Sequence, residues 1–64
     1  MSQFYITDSV SAGIATEALR HRRPITMSGT VRDKVGFFTG VVQSVDEDKT
    51  TVPKQWRITI LDGK

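Results

Sequence analysis

Hydrophobic and polar residues alternate strictly in two stretches of the chain. In the first, Ile25, Met27, Gly29 and Val31 are interleaved with Thr26, Ser28, Thr30 and Arg32. In the second, Trp56, Ile58 and Ile60 are interleaved with Gln55, Arg57 and Thr59. A period of two places successive side chains on opposite faces, the signature of a half-buried antiparallel strand. Between them lies GFFTGVVQSV, Gly36 to Val45, where Phe37 and Phe38 are adjacent and so are Val41 and Val42. A strand there sends one of each pair to either face.

The stretch before Ile25 has a different period. Val10, Ile14 and Ala18 recur every four residues, and Ala15 and Leu19 widen the stripe. This predicts an amphipathic helix within TDSVSAGIATEALRHRR. Asp8 or Ser9 suits its N-cap, because a side-chain oxygen can accept from an orphan amide of the first turn. Pro24 ends it, since the residue before proline is pushed out of the α region. Gly13 costs about 1 kcal/mol relative to alanine, so the helix needs tertiary packing. Ahead of it, Phe4 to Thr7 is a short β-like run.

The expected fold class is α+β: one helix packed on a three-stranded antiparallel meander, as a single domain over residues 1–64. Phe4 and Ile6 can add a short N-terminal edge strand. The expected core is Ile14, Met27, Val31, Trp56, Ile58 and Ile60. DKVG suits a four-residue hairpin loop from Asp33 to a left-handed Gly36, which pairs Arg32 with Phe37 and Val31 with Phe38. Paired residues share a face, so Phe38 and Val42 point to the helix while Phe37 and Val41 point away. A bulge near Gly40 would change which valine points out. DEDKTTVPK is expected as a polar connection, with Pro53 just before the last strand.

Size changes the picture. A chain of 64 residues buries only about 60% of its unfolded surface, so the core is thin. There is no cysteine, which excludes disulfides and thiolate metal sites and is compatible with a reducing compartment. The N-terminal stretch lacks the basic start and apolar run of a signal peptide, and no stretch approaches a membrane span. A cytoplasmic protein that meets no membrane is expected.

Net charge is only +2, a weak bias for a phosphate-backbone binder. Its distribution is more informative: Arg20, Arg22 and Arg23 lie together, and Asp46, Glu47 and Asp48 form an acidic knot. Cations at a helix C-terminus meet the last carbonyls favourably, which explains RHRRP without a ligand. Glu17 and His21, four apart, form a helix surface pair with no nucleophile placed beside them. The acidic knot lacks EF-hand spacing, and Gly29 and Gly40 lie in strands rather than opening a helix, so they form no phosphate loop. No catalytic residue, metal ligand or cofactor is expected. Close helix–sheet approach or a bulge accounts better for the two glycines.

The outer sheet face therefore carries the functional question. Phe37 and Val41 are expected on its middle strand, with Arg32 on one side and Arg57 on the other. Three readings apply: a solvated face with a tolerated aromatic, a contact with another protein or a second copy, and a nucleic-acid platform. The last would use Phe37 for stacking and Arg20, Arg22, Arg23, Arg32 and Arg57 for phosphates. The leading functional expectation is a non-catalytic module that meets itself or another protein through this face, with weak nucleic-acid binding as the alternative.

Overall fold

A computed structural model of the chain describes residues 2–49 and 54–61. The order of elements is β1 (Ser2–Ile6), α1 (Ser9–His21), β2 (Pro24–Val31), β3 (Lys34–Asp48) and β4 (Gln55–Leu61). The α+β class is as expected, but the sheet has four antiparallel strands and closes on itself as a barrel. β1 is no edge strand. It runs beside β4 from Ser2↔Ile60 to Ile6↔Trp56 and touches β2 at Tyr5↔Thr30.

Closure depends on β3. Its first half pairs with β2, from Lys34↔Val31 to Val41↔Pro24, and its second half pairs with β4, from Val41↔Leu61 to Asp48↔Gln55. The register shifts between Val42 and Ser44, leaving Gln43 as a bulge residue. A bulge bends and twists its strand, and here it also resets the alternation. Phe38 and Val42 point inward before it, and Val45 points inward after it. Asp46 to Asp48 are thus strand residues opposite β4, not part of a loop. Pro53 lies outside the described residues.

The β2–β3 turn is shorter than the loop expected. Val31 pairs with Lys34, and the two residues between them, Arg32 and Asp33, have φ of 52° and 65°. Two positive φ values are what a two-residue primed turn requires. Gly36 lies inside β3 opposite Gly29, outside the left-handed region. Phe37 accordingly pairs with Ser28 rather than Arg32, and Phe38 with Met27. The expected register moves by an even number of positions, so each side chain keeps its face.

Phe4, Ile58, Ile60 and Val42 fill the barrel interior, and Phe4 is fully buried. Its ring stacks on that of Phe38, centroids 4.5 Å apart and 8° from parallel. Met27, Ile58 and Ile60 are core as expected, while Val31 and Trp56 lie half-buried against them. Lys54 Nζ is 5.9 Å from the Trp56 ring centroid at the rim. Gly29 exists for Phe4: a β-carbon there would lie 2.3 Å from the ring's Cδ2. The close approach is thus between two strands, not between helix and sheet.

The helix corrects the expectation most. Asp8 is its N-cap, accepting from the amides of Val10 and Ser11. Arg22 caps the other end in the left-handed region, and the amides of Arg22 and Arg23 reach the Ala18 carbonyl. The buried residues are Ala12, Ala15 and Ala18, with Leu19 half-buried. Ile14, expected in the core, is 53% exposed, and Val10 is 67% exposed. The closed barrel explains this. Phe4 from β1 is buried in the same core as the helix alanines, and those small residues let α1 lie close over β3 and β2.

Candidate protein-docking face

The two-residue turn locks β2 and β3 into a regular ladder and so fixes the composition of their outer face. Across it, Thr30 neighbours Val35, Ser28 neighbours Phe37, Thr26 neighbours Thr39, and Val41 lies between Pro24 and Leu61. The hydroxyls of Thr26 and Thr39 are 2.9 Å apart. None of these nine side chains is ionisable. Phe37 is 82% exposed and Val35 is 77% exposed, two positions apart on one strand and so on one face. The expected contrast between the phenylalanines holds: Phe38 is half-buried and Phe37 open to solvent.

A cleft of about 370 Å³ adjoins the Val35 end of this face. Tyr5, Thr7, Asp8 and Ser11 form one wall, and Ser28, Thr30 and Val35 the other. It opens because β1 and β2 diverge on leaving their one paired position, where Thr30 Oγ1 donates to the Tyr5 carbonyl at 3.3 Å. Asp8 is the carboxylate at its edge. It accepts from Ser11 Oγ at 3.0 Å and from the Ser11 and Val10 amides at 3.2 and 3.3 Å. The Ser11 hydroxyl first, then the Ser11 and Val10 amides, hold its pKa below the ordinary value of 3.8. A carboxylate so engaged is an anionic helix cap and a poor proton acceptor.

The arginines are dispersed. Arg20 bonds Glu17 at 3.4 Å, and Arg22 and Arg23 follow it at the helix end, beside the start of β2. Arg32 is in the turn at the other end of β2, roughly 24 Å away for an eight-residue strand. Arg57 lies opposite Tyr5 and Asp46, with Nη2 3.6 Å from Asp46 Oδ2. Phe37 is therefore not flanked by Arg32 and Arg57. Thr59, expected on the same outer face, is covered between Gln3 and Ser44, and Gln3 Nε2 donates to its hydroxyl at 3.3 Å.

The remaining polar groups form surface pairs. His21 Nε2 is 3.2 Å from Glu17 Oε2, as their spacing predicts. Glu47 meets Lys54 at 2.9 Å, and hydrogen bonding to that ammonium lowers the Glu47 pKa. A smaller cleft of about 160 Å³ lies among Tyr5, Asp46, Glu47, Asp48 and Arg57. Among the described residues no three His, Asp or Glu side chains are grouped as metal ligands, and no helix is long and apolar enough to cross a membrane.

Val35 and the cleft are the parts of the site that the sequence reading missed. Val35 falls within the expected Asp33–Gly36 loop but lies in β3; a β-branched residue is a poor turn former and a good strand former. Comparison with protein families, with curated proteins and with solved structures finds no match to the chain.

Proposed function

We propose that this protein is a non-catalytic interaction module that docks a partner protein through the outer face of the β2–β3 hairpin. One observation carries the reading: Phe37 and Val35 stand almost fully exposed, two positions apart, on a face whose paired positions carry no charge between the Arg32–Asp33 turn and Pro24. One exposed ring is ordinary on a protein surface. Two large apolar side chains on a rigid hairpin, next to a cleft, have the make-up of an interface centre, where charges are depleted and aromatics anchor. The partner surface it fits is uncharged and at least partly apolar. The absence of cysteine suits a reducing compartment such as the cytoplasm.

Nucleic-acid binding through Phe37 with Arg20, Arg22, Arg23, Arg32 and Arg57 is the weaker reading, because of the five only Arg32, in the turn, belongs to the hairpin that carries Phe37. A photo-crosslinking residue in place of Phe37 tests the proposal in cells, with the same residue at Arg57 as control. A discrete protein adduct at Phe37, absent from the control and lost with Val35→Asp, is expected. No adduct, together with oligonucleotide binding whose steep salt dependence is flattened by changing Arg20, Arg22 and Arg23 to alanine, would replace it with the nucleic-acid reading.

A further inference from the structure

We propose that the partner of the hairpin face is an extended peptide segment carrying a basic side chain, which adds as a strand to the free edge of β2 in the cleft beside β1. This deepens the docking reading above by naming the form of the partner. The turn sets the geometry of that edge. Its closing hydrogen bond runs between Val31 and Lys34, so Val31, Gly29, Met27 and Ile25 turn their amides and carbonyls to β3. Thr30, Ser28 and Thr26 turn theirs the other way. Thr30 lies opposite Tyr5, the one position where β1 meets β2. Ser28 and Thr26 have no strand across from them on that side, and their amides and carbonyls make no hydrogen bond to a described residue.

Unpaired backbone groups at a sheet edge are a template for strand addition. Edges left to solvent are commonly guarded by charged side chains, proline or a bulge. Ser28 and Thr26 carry none of these and are exposed. The cleft of about 370 Å³ begins at Ser28 and Gly29, so it holds a place open where β1 would otherwise continue. Neighbouring strands lie about 4.8 Å apart, so a peptide residue opposite Ser28 on the outer face stands about 10 Å from Phe37. Only the small Ser28 side chain lies between them, and a large apolar side chain there meets the ring across it. The cleft's charge adds the basic residue. Of its nine lining residues, Asp8 is the one that is charged at neutral pH. It has no ion-pair partner among the described residues, and the hydrogen bonds that lower its pKa keep it ionised. A lysine or arginine of the added strand pairs with it.

Selection of binders to the full chain from a phage-displayed library of random heptapeptides is the test. The selected peptides are expected to alternate apolar and polar residues, to share a lysine or arginine, and to slow hydrogen exchange at the Ser28 amide. Methylating the peptide nitrogen that faces β2 weakens binding about tenfold, since a backbone hydrogen bond is lost and the methyl group blocks the edge. Asp8→Asn keeps a capping side chain and lowers affinity about two- to fivefold, only for peptides with the basic residue. Phe37→Ala weakens every selected peptide. The proposal is overturned if the library yields no binder, or if methylation of each peptide nitrogen in turn is without effect. It is equally overturned if the Ser28 amide becomes protected as the concentration of the chain alone rises, which makes a second copy the occupant. A protein adduct at Phe37 obtained alongside any of these results leaves the docking reading standing and removes only the added strand.

Discussion

Adding one methyl group at Gly29 tests the core directly. The new β-carbon would lie 2.3 Å from Phe4 Cδ2, 3.1 Å from Cε2 and 3.0 Å from the Tyr5 carbonyl oxygen. Carbon atoms rest about 3.5–4.0 Å apart, so the ring or the strand must retreat by roughly 1.2 Å. The ring has little room, being fully buried and stacked on Phe38. Overpacking of this kind costs about 1–3 kcal/mol, and the stiffer unfolded chain returns about 0.4–1 kcal/mol. A net loss of about 1–2 kcal/mol is expected, against a total stability of roughly 3–10 kcal/mol for a chain this size. At about 4–8 °C per kcal/mol, the melting temperature should fall by roughly 5–15 °C. Urea denaturation followed by the fluorescence of Trp56, the one tryptophan, gives the free energy. Gly36→Ala is the internal control. Its β-carbon comes no closer than 3.7 Å to the Phe38 ring, so its midpoint should stay near that of the natural chain. Shortening the ring with Phe4→Leu should make Gly29→Ala less costly than it is alone, a non-additivity expected only of residues in contact. If Gly29→Ala and Gly36→Ala unfold at the same denaturant concentration, Phe4 does not sit where the barrel requires it.

Other expected outcomes are more compact. Ile58→Ala should cost about 2–5 kcal/mol, whereas Ile14→Ala should stay within about 0.5 kcal/mol; similar losses at both positions would contradict a helix that buries its alanines and exposes Ile14. Replacing Arg32-Asp33 by Asn-Gly should stabilise by about 1 kcal/mol, because the turn then loses side chains that disfavour left-handed φ, and thermal melts would show it. Asp8→Ala should lower the melting temperature at neutral pH. Because the folded pKa of Asp8 is depressed, its contribution is complete above the ordinary value and fades as pH falls through the folded one. Melts from pH 7 downward should therefore converge, and a gap unchanged in acid would assign the effect to something other than the charged cap.

Much of this fold can be read from local patterns, and its closure cannot. The alternation around Met27 and Ile58 marks inward faces, and Asp8 and Pro24 bound the helix by backbone chemistry. The faces of Phe37 and Phe38 emerged correctly from an incorrect turn, because parity survives any even shift in register. Val45 shows the limit: unbroken alternation from Val41 puts it outside, and the bulge at Gln43 brings it in. The helix face failed for a non-local reason. Val10, Ile14 and Ala18 are a legitimate stripe, but which stripe is buried depends on whether another element already fills the core. Phe4, too short a run to rank above an edge strand, is that element. In the candidate site, Phe37 and Val41 were legible, while the neighbours expected of them depended on turn length and changed with it.

The pairing of β1 with β4 also bears on how fast the chain can fold. Gln3 and Thr59, which share a hydrogen bond, are separated by 56 positions, whereas β2 and β3 are joined by two residues. The hairpin can form after a short search, but bringing the two outer strands together requires nearly the whole chain to be ordered first. Such non-local contacts put small β-rich domains in the millisecond-to-second range, well behind helical bundles of equal length. Until β1 and β4 meet, β4 is paired only with β3 and leaves its other edge open beside Ile58 and Ile60, so the interval before closure is when this protein is most exposed to aggregation. Stopped-flow refolding of Trp56 fluorescence measures that interval, and a microsecond phase carrying the full signal would show that closure is not the slow step.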